Sequence, residues 1–147
     1  MEAIEYLRGY KEVGENVIII GGGLTGCEIA YDLALKNKKP IIVENQDDIL
    51  NVPNLCAANS NMLRELIRYY KIPVYTNAEV KETKEQEAII EQNGKEIKVN
   101  ADSIITSIGY NVRALPQKEH VHVIGDAYKV GNLMNVVWQA YDLANNL

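Results

Sequence analysis

Apolar positions along the chain follow two rhythms, and the switch between them marks where one kind of structure gives way to another. Asn16-Val-Ile-Ile-Ile20 is a short β-branched run that stops at three glycines, the pattern of a strand buried on both faces. From Leu24 to about Asn37 the rhythm becomes helical, with Cys27, Ala30 and Ala34 on one face beside Ile29 and Leu33. Lys36, Lys38 and Lys39 near its end suit the negative pole of a helix. Pro40-Ile-Ile-Val-Glu44 predicts a second buried strand, and a polar, irregular connector occupies 45–57. A helix is expected at about 58–71, carrying Leu63, Leu66, Ile67 and Tyr70, and then a third parallel strand at Ile72-Pro-Val-Tyr-Thr76. Residues 2–12 predict a short lead-in helix with Ile4 and Leu7 on one side.

Beyond this point the pattern shortens and alternates. Residues 78–84, 87–92 and 95–100 predict three strands, and Asn93-Gly94 between the last two is the pair that type I′ hairpin turns demand. An antiparallel meander follows from this, which a plain doubly wound fold does not contain. The buried-strand pattern resumes at Ser103-Ile-Ile-Thr-Ser-Ile108, a further strand is expected at His120-Val-His-Val-Ile124, and a last helix runs from about Asn132 to Asn146. The fold class is therefore α/β: a Rossmann-like parallel sheet flanked by helices, with a three-stranded antiparallel β-meander.

Composition narrows the function classes. The 147 residues are 47% hydrophobic and 24% charged with a net charge of −5, which is ordinary globular composition. A chain of this length can bury roughly 70% of its unfolded surface. No basic stripe is present, so no nucleic-acid partner is expected. The longest run of mostly charged residues, Glu79 to Glu85, mixes both signs and reads as solvated strand surface. No apolar stretch nears the ~20 residues that cross a bilayer, and the acidic start Met1-Glu-Ala-Ile-Glu-Tyr6 lacks a signal-peptide core. Cys27 and Cys56 have no paired spacing, which points to a reducing, cytoplasmic setting and excludes a C-x-x-C redox pair or an iron–sulfur ligand run within this chain. His120 and His122 fall short of the ligand set zinc needs and are expected to face solvent together.

The candidate chemistry lies in the glycine loop. Gly21-x-Gly23-x-x-Gly26 follows a strand and opens a helix. Glycine is required for a tight turn at Gly21, for close approach of backbone to a pyrophosphate at Gly23, and for close helix–strand packing at Gly26. The free amides and dipole of the new helix then face the phosphates. Glu44 ends the next strand, where a carboxylate can accept both hydroxyls of an adenosine ribose. A 2′-phosphate would be repelled there, and Asn45-Gln-Asp-Asp48 supplies no cation, so NAD is favoured over NADP. Cys27 sits in the first turn of the helix, where the dipole favours a thiolate, but its place on the packing face predicts a buried structural cysteine. Cys56 receives no role.

Three segments carry a family resemblance: Val17-Ile-Ile-Ile-Gly-Gly-Gly-Leu-Thr-Gly-Cys-Glu28, Ala101-Asp-Ser-Ile-Ile-Thr-Ser-Ile-Gly-Tyr110, and Val121-His-Val-Ile-Gly-Asp126 with the ending that runs on to Tyr141. In that order they resemble the C-terminal part of the NADH:flavin oxidoreductases similar to 2,4-dienoyl-CoA reductase, 2-enoate reductase and trimethylamine dehydrogenase, within the pyridine nucleotide-disulphide oxidoreductase-like superfamily. The resemblance implies that the loop Gly21, Gly22, Gly23, Leu24, Thr25 and Gly26 lines the NAD pyrophosphate, with Glu44 on the adenosine ribose and Asn45 beside it. It implies that Glu28 lies near the nicotinamide end, Val80 flanks adenine, Gly109 lets the chain pass close to the nucleotide, and Asp126 meets the ribityl chain of FAD. The expected organisation is a lead-in helix at 1–13, an NAD-binding domain at 14–115, and at 116–147 a tail resembling the last strand and helix of an FAD domain.

The departures matter equally. Such relatives carry an FMN barrel, an iron–sulfur cysteine cluster and a separate FAD glycine loop, and none of the three is in this sequence. The expected cofactor is NAD(H), with FAD bound only in an intact parent, and the expected partners are NADH and the rest of that parent, its FAD domain and FMN barrel. No catalytic side chain or metal cluster stands out, so the chain by itself is expected to be inactive. The last helix is apolar on more than one side, through Leu133, Met134, Val136, Val137, Trp138, Tyr141 and Leu143, and is expected to pair with a second copy of the chain or to fold back over its own sheet. Two other readings stay open: a minimal FAD-binding domain, and a non-catalytic NAD-sensing or assembly module. A methyltransferase is a distant further one, poorly matched by the third glycine and the meander.

Overall fold

The computed structural model describes every residue except Pro53, Asn54 and Gln117, so those parts of the 45–57 connector and of the 116–147 tail lie outside the described residues. The chain forms two compact units, Met1–Ile108 and Gly109–Leu147, each described by itself.

In the first unit α1 (Ala3–Leu7) leads to β1 (Asn16–Ile20), α2 (Leu24–Leu35), β2 (Lys39–Val43), α3 (Ala57–Tyr69) and β3 (Val74–Tyr75). Then come β4 (Ala78–Thr83), β5 (Glu87–Gln92), β6 (Lys95–Asn100) and β7 (Ser103–Thr106). A four-stranded parallel sheet has the order β3-β2-β1-β7, and β4-β5-β6 form a separate antiparallel sheet. In the parallel sheet Ile18 of the central strand pairs with Ile41 on one side and Ile104 on the other.

Alternation along β1 explains why its sequence is apolar throughout. Val17 and Ile19 face a core made with Cys27, Ile29, Ala30 and Leu33 of α2 and Leu63 and Ile67 of α3. Ile18 points the other way, into a second core with Val43, Ala78, Ala88 and Ile90. The parallel sheet is thus sandwiched between helices and the meander, and its central strand has no solvent face. The Asn93-Gly94 turn has positive φ at both residues, 52° and 74°, as a type I′ hairpin requires.

Three predicted elements change shape, each for a visible reason. The lead-in helix is only Ala3–Leu7, because Gly9 adopts φ 67° and turns the chain. The expected strand at 72–76 shrinks to Val74–Tyr75: Lys71 is left-handed at φ 53°, and the Ile72 N–H donates to Ile67, so Ile72 belongs to the closing turn of α3. The expected strand at 120–124 is absent. His120 takes φ 62°, and the Val121 N–H donates to Lys118, which closes a tight turn instead. His120 and His122 therefore do not share a strand face, although both are exposed.

The second unit holds a 3₁₀ turn at Gly125–Ala127 and α4 (Leu133–Asn145). Asn132 caps α4 by a reciprocal exchange with Asn135, and Gln139 of α4 accepts the Gly125 N–H at 2.7 Å. No residue of α4 is buried. Among the described residues no helix is long and apolar enough to cross a membrane.

Candidate nucleotide site

The glycine loop leaves β1 at the C-terminal end of the parallel sheet, where ligands of open α/β folds bind. Two of its glycines are fixed by neighbouring backbone atoms. Gly21 has φ 105°, and a Cβ there would lie 2.3 Å from the Ser107 carbonyl oxygen. A Cβ on Gly26 would lie 2.0 Å from the carbonyl oxygen of Gly21, so α2 reaches its closest approach to the strand end there. Gly23 differs. A Cβ there would meet only Val52, at 3.9 Å, so its surface is open to a ligand. Gly23 is also the N-cap of α2 and supplies no side-chain cap. The first backbone bond into the helix is Cys27 N–H to the Gly23 carbonyl at 3.0 Å. The preceding amides, of Leu24, Thr25 and Gly26, belong to the set every helix leaves for outside acceptors.

Among the described residues Glu44 is the one charged residue that is buried, at 7% exposure. Its Oε2 accepts the Gly22 N–H at 2.6 Å, and Oε1 accepts the Gln46 N–H at 2.8 Å. The carboxylate therefore touches the glycine loop directly. A carboxylate offers about four acceptor positions, so both oxygens keep capacity for hydroxyl donors.

Gly22 is held from several sides. Its carbonyl accepts the Leu50 N–H at 2.7 Å and the Cys27 thiol at 3.3 Å. Burial pushes the Cys27 thiol up to about 12, which fits a structural cysteine under the loop. Cys56 is the opposite case. It is exposed at the N-cap of α3, where the amides of Asn59 and Ala58 draw its thiol below the ordinary range.

The remaining candidates are more scattered. Asn45 is exposed and lines a polar depression of about 320 Å³ with Asn77, Ala78, Glu79 and Glu91. Val80 is half-buried and packs against the meander-side core, next to a register shift before Glu82. Glu28 is exposed, one turn into α2. Gly109 (φ 96°) and Asp126, which accepts the Gly131 N–H at 3.1 Å, belong to the second unit. The sequence reading missed Ile49, Leu50 and Arg64, which back the loop. No local pattern announces them, because they meet only through folding of an irregular connector. A larger depression, about 620 Å³, lies at the N-terminal ends of the strands between Lys38, Pro40, Tyr70 and Pro73. Volume is a poor guide here, since the helix amides and the buried carboxylate are all at the other end.

The pattern of the pyridine nucleotide-disulphide oxidoreductases matches residues 4–136. The chain belongs to that family. Cinnamate reductase of Clostridium sporogenes is 41% identical, over 99% of this chain and 23% of the relative. NADH oxidase of Thermoanaerobacter brockii is 32% identical, over 88% of this chain and 21% of the relative. Among solved structures a 2-naphthoyl-CoA reductase superimposes with TM-score 0.85 at 22% identity, over 96% of this chain and 22% of that one. The chain thus spans less than a quarter of these larger proteins, and it corresponds to a portion of a redox flavoprotein architecture.

Proposed function

We propose that this chain is the NAD(H)-binding portion of an NADH-dependent flavin oxidoreductase of the enoate reductase kind, in which hydride passes from NADH to FAD. The observation that carries the reading is the bond between Glu44 and the Gly22 amide, beside a helix start with no side-chain cap. That arrangement puts an acceptor for sugar hydroxyls next to donors for a diphosphate. Bound NADH supplies the hydride; the chain's own residues bind and orient it. Gly21, Gly22, Gly23, Leu24, Thr25 and Gly26 take the pyrophosphate side, Glu44 and Asn45 the adenosine ribose, Val80 the adenine, Gly109 a close passage of the chain, and Glu28 the nicotinamide end.

FAD belongs to the larger protein. Asp126, the residue assigned to its ribityl chain, bonds to Gly131, and the sequence has no second glycine loop to complete a flavin pocket. The domain assignment of 14–115 to NAD and 116–147 to the FAD side is part of this proposal, as is an iron–sulfur and FMN-bearing parent. The exposed apolar residues of α4, Leu133, Met134, Val137, Trp138 and Tyr141, suit either that parent or a second copy of the chain. Light scattering that returns a monomer removes the second copy.

Titration with NADH, NADPH and FAD, followed by fluorescence, tests the reading. NADH is expected to bind measurably more tightly than NADPH, and FAD not to bind. Equal affinity for NADPH refutes the assigned role of Glu44, and a yellow, flavin-loaded protein refutes the NAD reading itself.

A further inference from the structure

The segment after Glu44 folds back across the glycine loop. Ile49 and Leu50 are both buried, at 6% and 5% exposure. The Ile49 Cγ2 stands 2.7 Å from where a Gly22 Cβ would be, so Ile49 lies directly on the loop. Leu50 N–H donates to the Gly22 carbonyl at 2.7 Å. To do so Leu50 adopts φ 56°, a left-handed conformation that a bulky residue adopts only when its surroundings impose it.

What imposes it comes from α3. Arg64 Nη1 donates to Asp48 Oδ1 at 2.7 Å, and Nη2 donates to the Ile49 carbonyl. Asp48 Oδ1 also accepts the Ile49 N–H at 2.8 Å. One guanidinium therefore grips a side chain and the backbone of consecutive residues in its fork geometry, which a lysine cannot reproduce. Together with Glu44 on its N–H, this chain of contacts holds the two peptide units that flank Gly22. The direction of the Gly22–Gly23 peptide in turn sets how the following amides enter α2.

We infer that Arg64 is a positioning residue of the nucleotide site: through Asp48, Ile49 and Leu50 it locks the Gly22–Gly23 peptide so that the loop amides are preset for a dinucleotide diphosphate. The inference rests on the NAD(H) reading of the site. It gives α3 a role in affinity that acts through the loop backbone.

Arg64→Ala, Arg64→Lys and Asp48→Asn in the full chain test it by two readouts, amide hydrogen exchange without ligand and NADH titration. Arg64→Ala is expected to speed exchange at Leu50 and Gly22 by about tenfold and to weaken NADH by a similar factor, the usual scale for losing a charged hydrogen bond. Exchange at Ile18 and Ile19 should be unchanged, which separates a local release from general loosening. Arg64→Lys and Asp48→Asn should fall between Ala and the parent chain. Unchanged exchange at Leu50 and Gly22 overturns the clamp while leaving the NAD(H) reading intact. Faster exchange with undiminished NADH affinity overturns the positioning role. A parent chain that binds no NADH overturns the reading on which both stand.

Discussion

The two ends of the parallel sheet solve the same problem in opposite ways. Each end presents a carboxylate that collects backbone amides next to the strand ends. At the N-terminal end Asp102 Oδ2 accepts the N–H groups of Glu15 and Asn16, both at 3.0 Å, and the Asn16 side-chain amide at 3.3 Å. Lys38 closes the neighbouring loop by donating to the carbonyls of Val13 and Gly14, and Lys39 pairs with Glu15. These polar groups are engaged within the fold itself. At the C-terminal end Glu44 is buried and takes two amides, while the helix that begins beside it has no side-chain cap. One end is stitched for stability, and the other keeps donors in reserve. The lesson is that the same residue chemistry is structural or ligand-directed according to what its neighbours leave unpaired.

The largest break in this contrast comes from Gly26→Ala. Its Cβ would lie 2.0 Å from a backbone oxygen that cannot swing away, so about 3 kcal/mol of stability is expected to be lost, read as a drop in denaturant midpoint. Gly23→Ala tests the opposite case, because 3.9 Å of clearance should leave stability nearly untouched while NADH binding falls.

Glu44→Gln comes next. An amide nitrogen in place of one oxygen faces a backbone N–H in a buried position, which costs about 1–3 kcal/mol. Its NADH affinity should fall and its preference over NADPH shrink, since the charge that repels a 2′-phosphate is gone.

Asp102→Asn sharpens the comparison by pH. The amides of Asn16 and Glu15 hold the Asp102 carboxyl below its ordinary value. A depressed native pKa contributes stability that is present above the unfolded pKa and is lost as pH falls through the native one. The melting-temperature gap between the parent chain and Asp102→Asn should therefore be widest near neutral pH and close in acid. Solvent exposure keeps it to about 0.5 kcal/mol. NADH affinity should not change.

The smallest effect is chemical. A thiol reagent at mild pH should label Cys56, whose thiol is exposed and lowered, and spare Cys27, whose thiol is buried and raised to about 12. Labelling of both in the native chain would mean that the Gly22 end is looser than the hydrogen bonds describe.

Much of this was legible in the sequence because periodicity and glycine spacing are local signals. β5 and β6 occupy the predicted 87–92 and 95–100, since alternation and Asn93-Gly94 fix both strands and turn. The glycine loop and Glu44 were readable for the same reason. What escaped the sequence depended on backbone angles that non-glycine residues adopt only under tertiary pressure. Lys71 shortens the third strand, His120 abolishes another, and Leu50 builds the contact that backs Gly22. Arg64 in α3 and Asp48 in the connector before it carry no motif to announce their pairing.

Amide shift mapping by NMR puts the contrast between the ends to its most direct test. Addition of NADH is predicted to move the amides of Gly22 to Gly26 and of Gln46, and to leave those of Glu15, Asn16 and Ser103 in place. Shifts confined to the Asp102 end, or none at the glycine loop, would contradict the assignment of the C-terminal end as the nucleotide site.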